Sequence, residues 1–162
     1  MDLPRRLAES IEIAAAPEAV YDLVADVVRT GEWSRQCRAC EWDDPQQAGV
    51  VGAMFTGHNE TPTRQWTTRS QVVVADRPRE FAWEVGPGFV RWGYELEPTA
   101  RGTRLTESWH FLDGGIAMFH ERFGERAEDE IEVRTRAALE GVPATLERLK
   151  QVAEGESAGP RA

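Results

Sequence analysis

"RLTESWHFL", residues 104–112, decides how the rest of the chain is read. Alternate side chains of a strand point to opposite faces of its sheet. Leu105, Glu107, Trp109 and Phe111 therefore share one face, and Arg104, Thr106, Ser108 and His110 share the other. The first set is large and apolar apart from a single carboxylate. Such a face belongs against a core, so Glu107 is an acid carried inward by its neighbours.

The same alternation recurs upstream. "TARG" (99–102) turns the chain back into "FVRWGYELEP" (89–98), where Val90, Trp92, Tyr94 and Leu96 align. "GPG" (86–88) separates that segment from "EFAWEV" (80–85), with Phe81, Trp83 and Val85 on one side. Earlier still come "RQWTTRSQVVVA" (64–75), "GVVGAMFTGHN" (49–59) and "RQCRACEWDD" (35–44). Links this short join antiparallel neighbours, so the segments form a meander. "AESIEIAA" (8–15) reads as a first strand, and "APEAVYDLVADV" (16–27) as a helix opened by Pro17 with apolar residues at helical spacing.

Downstream of residue 112 the period changes. Ile131, Thr135, Ala138, Val142, Leu146 and Leu149 recur every three or four residues, which predicts one long helix over roughly 117–153. Gly141 and Pro143 fall inside it and predict a bend, because proline removes a backbone donor and crowds the preceding turn. That bend should leave Ile131–Ala138 over a cavity and Leu146–Leu149 on the sheet. The domain is assigned to 1–154, with 155–162 as a flexible tail. The fold class is α+β: a strongly curved antiparallel sheet of about seven strands around a long C-terminal helix, with two short helices after the first strand.

Bulk properties narrow the function. Hydrophobic residues at 41% and charged residues at 29% fit a soluble globular chain. A net charge of −9 argues against nucleic acid and against anionic membrane surfaces as partners. No apolar run is long enough for a membrane span, and the N-terminus lacks a signal-peptide core. Residence in the cytoplasm follows by default. Cys37 and Cys40 form a lone C-x-x-C, and His58, His110 and His120 offer no matching spacing for zinc. At a separation of three on a strand, the two sulfurs are expected on opposite faces, reduced and metal-free. No metal and no cofactor is expected.

The order of these features resembles the START-like (SRPBCC) superfamily, with its helix-grip fold, over about residues 8–153. The residues that carry the resemblance are Pro17 with its apolar helix, Trp33 after it, and "GAMFTGHN" (52–59). The Trp92/Tyr94/Leu96/Pro98 series, "GT" at 102–103 and "LERLK" at 146–150 complete it. The nearest branch is that of polyketide cyclase/dehydrase-like proteins. The resemblance implies that the concave, helix-covered face lines a ligand cavity and that Glu107 is a carboxylate within it.

Three functions fit. One is binding of a hydrophobic small molecule, such as a lipid, quinone or polyketide-like compound. Another is a cyclase or dehydratase with Glu107 as general acid/base, its pKa raised by burial toward neutrality. The third is a protein–protein interaction module, and a homodimer is open. Against the two roles for Glu107 stands an internal ion pair with Arg69, Arg91 or Arg122. Candidate ligand contacts are Trp66, Trp83, Trp92, Tyr94 and Trp109, which stack on a flat molecule or simply fill the core. Phe55, Phe111 and Ile131 join them as apolar lining. Asn59 shares the Phe55 face and offers an amide, or is only a strand-end turn residue.

Overall fold

Hydrophobic alternation and turn chemistry produce the elements in the expected order, in a computed structural model that describes residues 2–158. Strand β1 (Arg6–Ile13) leads into helix α1 (Pro17–Ala25), whose Val20, Tyr21, Leu23 and Val24 are buried. A 3-10 turn at Val27–Glu32 follows. The meander then runs through β2 (Cys37–Trp42), β3 (Met54–Thr61), β4 (Arg64–Asp76), β5 (Glu80–Val85), β6 (Val90–Pro98) and β7 (Thr103–Phe111). All neighbours are antiparallel, in the order β1-β7-β6-β5-β4-β3-β2. A bulge between Val72 and Val74 bends β4, and bulges of this kind increase local twist.

The single helix expected over 117–153 is two. Helix α2 (Asp113–Phe123) ends at Gly124, a 3-10 turn covers Gly124–Arg126, and α3 spans Ala127–Ser157. Gly124 has φ +54°, a left-handed conformation that costs glycine little and other residues more. Helix α3 is continuous through Gly141–Pro143. Val142 is buried while Pro143 is exposed, so the proline ring is not packed into the core. Of the stretch read as tail, 155–157 extends α3, tied down by an ion pair between Glu156 and Arg29 at 2.5 Å. Positions 159–162 lie outside the described residues.

Burial along β7 alternates without a fault, with Leu105, Glu107, Trp109 and Phe111 inward. Helix α3 packs on β1 and β7. Its two halves enter different clusters. Val142, Leu146, Leu149 and Ala153 join α1 and the centre of the sheet. Ala138 and Ile131 join Trp109, Phe111 and the α2 residues Ile116 and Phe119. No helix among the described residues is long and apolar enough to cross a membrane.

Candidate functional site

Glu107 lies inward at the centre of β7, 4% exposed. Its Oε2 is buried without any hydrogen-bond partner, alone among the buried side-chain atoms of the described residues. None of the arginines considered as partners reaches it. Arg69 forks onto Asp43 at 2.5 and 2.6 Å, Arg91 approaches Glu80 and Glu84, and Arg122 lies over Phe123. The partner is instead Tyr94, directly opposite on β6. Burial pushes the Glu107 carboxyl up to about 8, against a hydrogen bond from Tyr94 that draws it down. Burial and the facing carboxylate raise the Tyr94 hydroxyl well above its ordinary value, while a hydrogen bond from Trp33 lowers it. Trp33, Tyr94 and Glu107 are thus buried polar neighbours, one of whose oxygens is unpaired. Burial thus favours the protonated form of this acid.

The stacked indoles of Trp83 and Trp92, 6.5 Å apart, stand beside this cluster, and Trp83 lies 5.8 Å from Tyr94. Beyond them the inner face changes character. Trp66, Trp83, Trp92 and Asn59 are half-buried, as are Thr68, Val85 and Ile131. Trp109, Phe111 and Phe55 are buried: the first two pack with α2 and Ala138, and Phe55 sits between Trp42 and Trp83. The inner face is closed over Glu107 and partly exposed at the Asn59–Trp66–Thr68 end of β3 and β4, while Phe55, Gly57, Ser70 and Val72 are buried. Gly57 is buried among side chains of the neighbouring strands, and a Cβ there would stand 2.8 Å from Thr68 Oγ1. Asn59 holds its place through long bonds of 3.3–3.5 Å from Nδ2 to Thr68 Oγ1 and to the Gly57 and Trp66 carbonyls. Two other depressions lie on the surface. One of about 340 Å³ is lined by Arg6, Arg91 and His110 among others, and one of about 240 Å³ by Asp22, Trp42 and Gly49 among others. Neither opens onto Glu107 or Trp66.

The cysteines depart from expectation. A register shift between Cys37 and Ala39 sets Cys37 opposite Asn59 and Cys40 opposite Gly57. The extra residue cancels the parity argument, and the sulfurs meet at 3.3 Å instead of occupying opposite faces. Both are free thiols. The hydrogen bond from Cys40 lowers the Cys37 thiol, and that same contact together with burial raises Cys40. Among the described residues no three His, Cys, Asp or Glu side chains are placed to hold a metal ion. His58 and His120 are exposed beside Glu41 and Glu128 at 2.8 and 3.1 Å, and His110 faces away from Glu107.

Trp33 is not among the candidates that strand parity offers. It arrives from the segment after α1, and nothing in the local pattern says which strand residue it will meet. Thr68 and Ser70 were within reach, since they share parity with Trp66 on β4.

Comparison with known proteins agrees with this architecture. Over its full length the chain is similar to the polyketide-cyclase-like protein Cgl2372 of Corynebacterium glutamicum, whose structure was solved in solution. The two are 46% identical with a TM-score of 0.69, covering 97% of each chain. Protein NE0264 of Nitrosomonas europaea shares the fold at 18% identity and TM-score 0.67, over 98% of this chain and 99% of the other. So does StfQ, a di-domain ARO/CYC from the steffimycin biosynthetic pathway, at 15% identity and TM-score 0.68, over 96% of this chain and 52% of that one. No curated protein matches significantly. Residues 4–154, nearly the whole chain, match the family described as polyketide cyclase / dehydrase and lipid transport, and the chain belongs to that family.

Proposed function

We propose that the protein binds a hydrophobic small molecule, a lipid, quinone or polyketide-like compound, on the inner face of the sheet beside the C-terminal helices. The observation that carries this reading is the partly exposed row of Trp66, Trp83 and Trp92 beside Asn59 on the inner face. Aromatic side chains supply large flat contact area with few polar demands. A ligand entering from β3 and β4 reaches the Trp83–Trp92 stack and, behind it, Tyr94. Native mass spectrometry of the protein purified from its own host tests this. A bound apolar compound is expected in the parent and is expected to be lost in Trp66→Ala, which removes a partly exposed ring of that row. Retention of the same compound by that variant overturns the assignment.

A second reading rests on the unpaired Glu107 Oε2. In a cyclase or dehydratase, Glu107 gives its proton to a departing hydroxyl or takes one from a carbon beside a carbonyl, and Tyr94 stabilises the charge left on it. Glu107→Gln keeps the shape and cannot exchange the proton. It is expected to retain binding while abolishing turnover of a polyketide-like substrate; equal loss of both excludes the proton role.

A further inference from the structure

Four arginines gather where α2 meets α3. Arg122 and Arg126 lie over the Phe123 ring at 5.3 and 6.0 Å, and Arg134 lies over Phe119 at 5.3 Å. The two rings are 5.1 Å apart, so three guanidinium groups converge on one aromatic pair. Arg64, at the start of β4, stacks 4.0 Å over Trp66 on the inner face. It is close enough to Arg134 and Arg122 for their charges, after burial, to lower its hold on its proton.

This gathering runs against the rest of the molecule, whose net charge is −9. Most of the other arginines have a carboxylate within ion-pair distance, whereas among the described residues Arg64, Arg122 and Arg126 have none. One acid does enter. Glu130 pairs with Arg134 at 2.5 Å, both half-buried, and its charge also acts on Arg64. Glu128 is engaged by His120. Like charges held together disfavour one another unless an anion joins them, and guanidinium groups present paired donors that match carboxylate and phosphate oxygens. The rings beneath anchor the arginines to the core: Phe119 packs on buried Phe111 at 5.2 Å, and Phe123 belongs to the cluster that holds Trp92 and Ile131.

We propose that the inner face takes an amphipathic anion, its flat apolar body on Trp66, Trp83 and Trp92 and its carboxylate or phosphate head on Arg64, Arg122 and Arg134. This rests on the reading of that face as a hydrophobic ligand site and adds the class of molecule. Glu130 holds the place of the head in the empty protein and leaves it when the ligand arrives.

Two fluorescent probes with the same rings test it: 8-anilinonaphthalene-1-sulfonate, which is anionic, and N-phenyl-1-naphthylamine, which is neutral. The intact protein is expected to bind the anionic probe more tightly at low salt. Arg64→Gln and Arg122→Gln each reduce its affinity by about five- to tenfold, the scale of one charged contact, and Arg122→Gln, whose guanidinium lies over Phe123 and not over Trp66, leaves the neutral probe unchanged. The unchanged neutral probe also reports that this variant folds. Glu130→Gln strengthens binding of the anionic probe alone. Decanoate or decyl phosphate displaces it at lower concentration than decanol. Equal affinity for both probes, or parallel loss of both in Arg122→Gln, overturns the arginine assignment and leaves the hydrophobic site standing. Binding of neither probe overturns both. Inorganic phosphate displacing the anionic probe as effectively as decyl phosphate overturns the amphipathic ligand in favour of a free-anion site.

Discussion

The two halves of the inner face are built from the same residue types and differ in fate. On β7, Trp109 and Phe111 are 3% and 1% exposed, sealed under α2 and α3. Around β4, Trp66 and its neighbours Asn59 and Thr68 stay partly exposed, as α3 packs on β1 and β7. An aromatic side chain thus becomes core or binding surface according to what lies across from it. Composition alone does not separate the two. The covered half also holds the one group that resists being covered, Glu107, behind the Trp83–Trp92 stack.

The strongest test of this contrast uses pH. Glu107 has a folded pKa of about 8 against an ordinary carboxyl value of 4.5, so between those values the folded chain binds more protons than the unfolded one. Stability from this group is therefore complete below about pH 4.5 and is lost as pH rises through 8, by an amount on the order of 5 kcal/mol. Glu107→Gln removes that dependence. Melting curves should show parent and variant close together near pH 5 and the variant more stable near pH 9. A parent whose stability is flat across this range would mean that the covered half admits water. Next in size, Phe111→Ala should cost about 3–5 kcal/mol in denaturant unfolding. Trp66→Ala should cost less, on the order of 1–2 kcal/mol, as its ring is only partly buried, yet should weaken the neutral probe more than Phe111→Ala does. Reversal of that order would break the division into core and binding surface. The smallest effect concerns the thiols. Iodoacetamide should label Cys37 before Cys40, since Cys37 is the more exposed and the more acidic of the two. Peptide mapping after brief exposure reads the order.

Parity along β7 was enough to place Glu107 inside, because nine residues alternate there without interruption. The meander was equally legible, since each strand is bounded by glycine or proline turns. Parity failed at Cys37, where one extra residue moved a sulfur to the other face; a bulge leaves no mark in a short polar segment. It was also silent on Trp33, because contacts between distant segments are settled by packing and not by period. The interruption at Gly124 was written in the sequence as a glycine within a helical pattern, yet the apolar stripe on either side masked it. Coverage of the sheet was the largest omission. Periodicity tells which way a side chain points and nothing about whether another element will arrive to meet it.

The pairing of the first strand with the last has a consequence in time. Arg6 lies opposite His110 and Ile13 opposite Thr103, while every other strand pairs with a neighbour in sequence. From β2 onward the sheet can zip one hairpin at a time as the chain lengthens. Strand β1 cannot join until β7 exists, so it is made first and docked last, and closing that long loop is a slow step in folding. During synthesis Leu7, Ile11 and Ile13 wait without a partner, and the interval before β7 emerges is when the newborn chain is most exposed to association with its own copies.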